Sequence, residues 1–116
     1  MKKTNLKSVK SKLPRQRYEA RAKIAKALAH PSRQLILDVL ADGDRCVCEL
    51  TELVGADQST VSKHLAVLKQ AGIIEDRKEG VMTFYSLKTR CIQGIWECIE
   101  KVLLDNLEAQ RTAMGA

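Results

Sequence analysis

Four cysteines are the residues of this 116-residue chain best suited to chemistry: Cys46 and Cys48, two positions apart, and Cys91 and Cys98, seven apart. Thiolates are nucleophiles and soft ligands, and no histidine lies near Cys46 and Cys48 to compete. Glu49 and Asp44 offer oxygen, but a hard cation would need several more such groups. As(III) and Sb(III), which accept two or three thiolates, fit a Cys-x-Cys pair best. Beside Asp44 and Arg45, burial of two cysteines as small apolar filler is hard, so sensing is the stronger reading of the pair. On a regular helix, residues two apart point about 200° apart. A shared ligand is therefore expected to require an unwound first turn. Cys91 and Cys98 would lie about 10 Å apart along one helix face and cannot chelate one small ion together. They continue the stripe of Ile95 and Val102 and are read as packing at the helix interface; their rival role is a third ligand, from the same chain or across a dimer. His30 falls at a helix junction and His64 in a reading helix, so neither is taken as a ligand.

The elements that must position these groups emerge from periodicity. Residues 1–16 are polar and basic and read as a flexible arm, followed by one domain over 17–112. Residues 1–23 hold nine Lys or Arg against one acid, Glu19, a net +8, whereas the rest is −2 within an overall charge of +6. A basic arm on a near-neutral domain suits a polyanionic partner. Helical spacing begins at Tyr18 and stops at His30-Pro31, because the residue before proline avoids the helical basin. Pro31 then opens a second helix carrying Leu35, Ile36, Val39 and Leu40. A short helix from about Cys46 to Val54 ends at Gly55, and Asp57 caps the next, with Val61, Leu65 and Leu68 inward. A hairpin turning at Glu79-Gly80 and a last helix from about Thr89 to Arg111 complete the chain. The expected fold is mostly α with a β-hairpin, a winged helix-turn-helix in the order α-α-α-α-β-β-α, homodimeric.

The segment from Asp57 to His64 carries the DNA reading. With Val61 and Leu65 inward, Gln58, Ser59, Thr60, Ser62, Lys63 and His64 occupy the end of the helix that enters a major groove in this motif. Arg77 and Lys78 of the hairpin are expected at backbone phosphates. Aromatic residues number four (Tyr18, Phe84, Tyr85 and Trp96), too few for base-stacking platforms. Neither an apolar leader nor a membrane-length run is present, so a cytoplasmic protein with reduced thiols and no membrane partner is expected. A long terminal helix with one continuous apolar stripe cannot hide it on so small a core. Ile92, Ile95, Ile99, Val102 and Leu103 are therefore assigned to a dimer interface.

Four segments together resemble the ArsR/SmtB family of metal-responsive repressors: Ala27-Leu28-Ala29-His30-Pro31-Ser32-Arg33, Cys46-Val47-Cys48-Glu49-Leu50, Gln58 to Leu65, and Ala71-Gly72-Ile73-Ile74. The likeness spans residues 20–108. It implies a homodimer joined by the first and last helices, repression in the ligand-free state, and release by a metal or metalloid. The chain departs from the arsenic-sensing pattern at Thr51, where a third cysteine is often found. The last helix has no histidine for a zinc site, and the arm has no cysteine for the cadmium and lead type.

The function expected is a homodimeric repressor of duplex operator DNA, released by As(III) or Sb(III) as inducer, with no cofactor needed for folding. The same fold sensing cadmium, lead, oxidants or persulfides through Cys46 and Cys48 is the first alternative. A thiol-dependent enzyme is not expected, since the chain lacks a phosphate-type anion loop and a Cys-x-x-Cys at a helix start. A winged helix that binds only protein is a further alternative, separable by salt-dependent binding to random duplex. Driving a repressor from 99% to 1% competent takes about 5.5 kcal/mol. Two ligand sites per dimer would each supply roughly half of it, within the ~1–3 kcal/mol typical of allosteric coupling.

Overall fold

A computed structural model describes Lys10 and residues 12–115. Its elements are α1 (Arg15–Leu28), α2 (Pro31–Ala41), β1 (Arg45–Cys46), α3 (Val47–Val54), α4 (Gln58–Gln70), β2 (Ile74–Glu79), β3 (Met82–Leu87) and α5 (Ile92–Ala113). This is the expected winged helix-turn-helix, with one addition. The two-residue strand β1 makes the hairpin a three-stranded antiparallel sheet in the order β1-β3-β2. Most of the basic arm lies outside the described residues, and α1 already begins at Arg15, within its expected span.

Local chemistry explains three of the boundaries. The His30 ring nitrogen Nδ1 accepts from the Ser32 N–H at 3.0 Å, capping α2, and Pro31 follows where its missing donor costs nothing. Gly55 closes α3 at φ 74°, a left-handed conformation that β-carbon sterics make costly for other residues. The Asp57 carboxylate accepts from the Thr60 N–H at 2.7 Å and starts α4.

Ile36, Leu37 and Leu40 of α2, Leu50 of α3, and Val61, Leu65 and Leu68 of α4 are sealed from solvent. Ile73, Ile74 and Leu87 close this core from the sheet side. Each such side chain contributes about 1.5–3 kcal/mol on burial, so α4 is held on a rigid base. Ile92 corrects an expectation. At 3% exposure it belongs to the protomer's own core, not to an interface. The helical stripe was read correctly, but its first turn is consumed by packing where α5 leaves the sheet.

Beyond that turn, α5 stands off the body. Ile95, Ile99, Val102, Leu103, Leu104 and Leu107 are all exposed, the last four by more than half. Ile24 of α1 is exposed as well, and with Leu28, Ile95, Trp96 and Ile99 it lines a groove of about 400 Å³ between α1 and α5. No helix among the described residues is long and apolar enough to cross a membrane.

Candidate functional site

The reading helix α4 gathers most of the expected contacts. Gln58, Ser59, Thr60, Ser62 and Lys63 are exposed together at its N-terminal half, opposite the buried Val61 and Leu65. Ser59 donates its hydroxyl to Asp57 at 3.0 Å, which fixes that rotamer. The Asp57 carboxyl is held below its usual range, chiefly by the Thr60 backbone hydrogen bond.

His64 does not join this group. It is half-buried and lies against His30, ring centroids 4.3 Å apart. Burial pushes its pKa down, and the neighbouring His30 and Arg33 push the same way. One residue beyond Lys63 the helix has turned about 100°, which swings His64 from the outer face onto the α2 corner.

Arg77 also departs from expectation. Its guanidinium is taken up by Asp44 at 2.6 Å and Glu79 at 2.8 Å, with Ser86 Oγ at 3.3 Å and the Phe84 ring beneath it at 5.3 Å. The pairing depresses the Asp44 pKa and raises that of Arg77. The guanidinium is thereby engaged within the wing. Lys78, also on β2, is exposed and takes part in none of these contacts.

The thiol pair is arranged differently from a regular helix. Cys46 is not in α3. It is the N-cap, with extended backbone (φ −78°, ψ 161°), and the helix begins at Val47. The extended residue turns its side chain toward that of Cys48, so the two sulfurs meet and are joined as a disulfide, with Cα atoms 5.4 Å apart. The two sulfurs meet with α3 intact from Val47, not diverging as a regular helix over Cys46–Cys48 would place them. Cys46 Sγ also accepts from the Glu49 N–H at 3.4 Å, while Glu49 Oε1 accepts from the Cys46 N–H at 3.1 Å. The sulfur is thus half of a capping box.

Cys46 is buried at 3% exposure and Cys48 is exposed. Among the described residues no group of three His, Cys, Asp or Glu side chains is placed to hold a metal ion. Neither Cys91 nor Cys98 completes the pair within the protomer. Both are free and exposed, so neither packs in the protomer.

Sequence reasoning named Asp44 only as an oxygen donor and missed its pairing with Arg77, 33 residues away; it also missed Leu104, which falls off the regular stripe. It also missed β1, too short to show a strand pattern. The cap could have been found from Glu49, three residues after Cys46, which is the capping-box spacing.

The model for "Bacterial regulatory protein, arsR family" matches residues 30–76, the stretch holding α2, the thiol pair and α4. A cadmium resistance transcriptional regulatory protein CadC homolog of Staphylococcus aureus is 36% identical over 75% of this chain and 70% of its own length. The chain belongs to the arsR family. Another relative, the arsenic resistance transcriptional regulator ArsR1 of Pseudomonas putida, is 35% identical over 73% of this chain and 67% of its own. Among solved structures, the homodimeric winged helix-turn-helix DNA-binding domain Mb0332 of Mycobacterium bovis superposes with a TM-score of 0.70 at 29% identity, covering 88% of this chain and 94% of that one. The arsR family is one of transcriptional regulators, and the α3–α4 pair of this chain is its helix-turn-helix.

Proposed function

We propose that this arsR-family chain is a homodimeric repressor that holds duplex operator DNA through paired α4 helices and leaves it when Cys46 and Cys48 bind As(III) or Sb(III). The observation that carries the proposal is the meeting of two sulfurs at the cap of α3, the first helix of the reading motif. In the reduced pair, arsenous acid exchanges two hydroxyls for two thiolates. Two S–As bonds replace two As–OH bonds, the thiol protons leave with the hydroxyls as two waters, and no electrons change hands. The third arsenic position keeps a hydroxyl, in line with the lack of a third protein ligand among the described residues.

Inserting an atom between sulfurs that now touch moves Cys46 Sγ away from the Glu49 N–H and removes the cap. Loss of a cap costs a helix about 1 kcal/mol. A ligand shifts the balance only by its preference for one state, and cap opening is a direct source of that preference. The similarity to both a cadmium and an arsenic resistance regulator favours a soft ion in general; the two-sulfur site favours trivalent arsenic and antimony. A repressor of operator DNA is expected in the cytoplasm.

The disulfide favours a narrower role for oxidation. The cap is intact with the sulfurs bonded, so oxidation by itself preserves the reading form and withholds the thiolates from arsenic. Operator binding titrated with As(III), Sb(III), Cd(II), Pb(II) and the thiol oxidant diamide tests this. Release by the trivalent ions under reducing conditions, and retention under diamide, is the expected pattern. Release by diamide alone would replace metalloid sensing with oxidant sensing.

On the DNA side, affinity is expected to fall steeply with salt, as Lys63, Lys78 and the basic arm displace counterions. Lys63→Ala lowers affinity and reduces the slope of log K against log salt by about one unit. Ser62→Ala, if the hydroxyl reads a base, relaxes preference between operator and random duplex. Fluorescence anisotropy over a salt series measures both, and an unchanged slope for Lys63→Ala would remove that residue from the interface.

A further inference from the structure

Cys46, Phe84 and Arg77 form one line across the sheet: Cys46 is paired with Phe84 across β1–β3, and Phe84 with Arg77 across β2–β3. Residues directly opposite in antiparallel strands place their side chains on the same face. The Arg77 guanidinium accordingly lies over the Phe84 ring. Asp44, two residues before Cys46, reaches the same guanidinium at 2.6 Å. The turn bearing the thiols is therefore tied to the wing twice, once by the two-residue ladder of β1 and once by an ion pair spanning it.

We propose that Asp44 and Arg77 are the coupling pair that carries the ligand state of Cys46 and Cys48 to the wing, with Arg77 acting as a positioning residue and not as a DNA contact. The inference rests on the thiol reading above. β1 holds only the register pairs Arg45↔Tyr85 and Cys46↔Phe84, so a displaced Cys46 removes half of it at once. With the ladder shortened, Asp44 moves with the turn, the ion pair opens, and Lys78, next to Arg77 on β2, loses its set position. The wing is then released together with α3. Both partners are about half exposed, so the pair adds little to stability and is suited to break and re-form.

The test uses the full chain in its reduced form, with Asp44→Asn and Asp44→Glu beside the unsubstituted protein. Arsenite binding is followed by thiolate–arsenic absorbance and operator affinity by anisotropy, each with and without As(III). The unsubstituted protein is expected to lose operator affinity by roughly 5–150-fold on binding As(III), the ordinary range of allosteric coupling. Asp44→Asn keeps the same arsenite stoichiometry, but its loss shrinks to roughly threefold or less, and Asp44→Glu restores most of it. A merely structural tie would lower affinity by the same factor with and without arsenite and leave their ratio unchanged. That result would overturn the coupling role alone. Absence of thiolate–arsenic absorbance in the unsubstituted protein would overturn the thiol reading, and the coupling with it.

Discussion

Replacing Cys46 or Cys48 with serine is expected to leave operator binding intact and to abolish release by As(III). Serine is nearly isosteric with cysteine and ranks among the best N-cap residues. At position 46 its hydroxyl accepts from the Glu49 N–H that Sγ accepts from now. The buried oxygen thus has a partner, and α3 starts at the same residue. At position 48 the side chain is exposed and the exchange is small. A serine hydroxyl is not deprotonated at neutral pH and is a poor partner for a soft ion. Either variant therefore removes one of two S–As bonds, and the affinity ratio with and without arsenite falls to about one, against several-fold to a hundredfold in the unsubstituted protein. Cys91→Ser and Cys98→Ser, exposed positions outside the pair, leave the ratio unchanged. Release lost in those two variants and kept in the first two would move the sensor to α5.

Ile99→Glu is expected to separate the dimer and cost operator affinity without touching a DNA contact. Ile99 lines the groove between α1 and α5 and is 44% exposed in the protomer, so a carboxylate is tolerated in the free chain but not against an apolar partner surface. A dimer grips two half-sites, and linkage of two modules adds roughly 10²–10⁴ to affinity. That factor is what the variant forfeits. Sedimentation velocity with anisotropy checks it; a variant that stays dimeric and binds normally would refute the interface. Ile92→Ala supplies the contrast. A core residue truncated to alanine costs about 2–5 kcal/mol of stability, so this variant melts earlier while the folded fraction still dimerises.

The element order and most of the core were legible because α2, α4 and α5 carry apolar residues at helical spacing, punctuated by Pro31, Gly55 and Gly72. The outer face of α4 followed from the same phase, up to His64, where a single residue step carries the side chain around to His30. The start of α3 was displaced by one residue, and the consequence was disproportionate. Cysteine is not a usual cap, so the pattern places Cys46 in the helix and sets apart two sulfurs that in fact meet. Arg77 was legible as a basic residue on a wing but not as a paired one, because its partner comes from a distant turn. Ile92 shows the limit of a stripe: periodicity identifies the apolar face of α5 but not the point at which that face passes from one protomer's core to the surface.

The unequal exposure of the two sulfurs sets an order of arrival. On the metalloid reading proposed above, arsenous acid would meet the reduced Cys48 in solvent and exchange its first hydroxyl there, whatever the state of the cap. The tethered arsenic then waits beside Cys46 at a high local concentration, and the second exchange proceeds when the Glu49 N–H lets go of the sulfur. The response time would then be governed by fraying of the α3 start and not by diffusion. On that reading a brief exposure would leave only a singly attached arsenic, free to depart without disturbing the cap, and would not reach the operator.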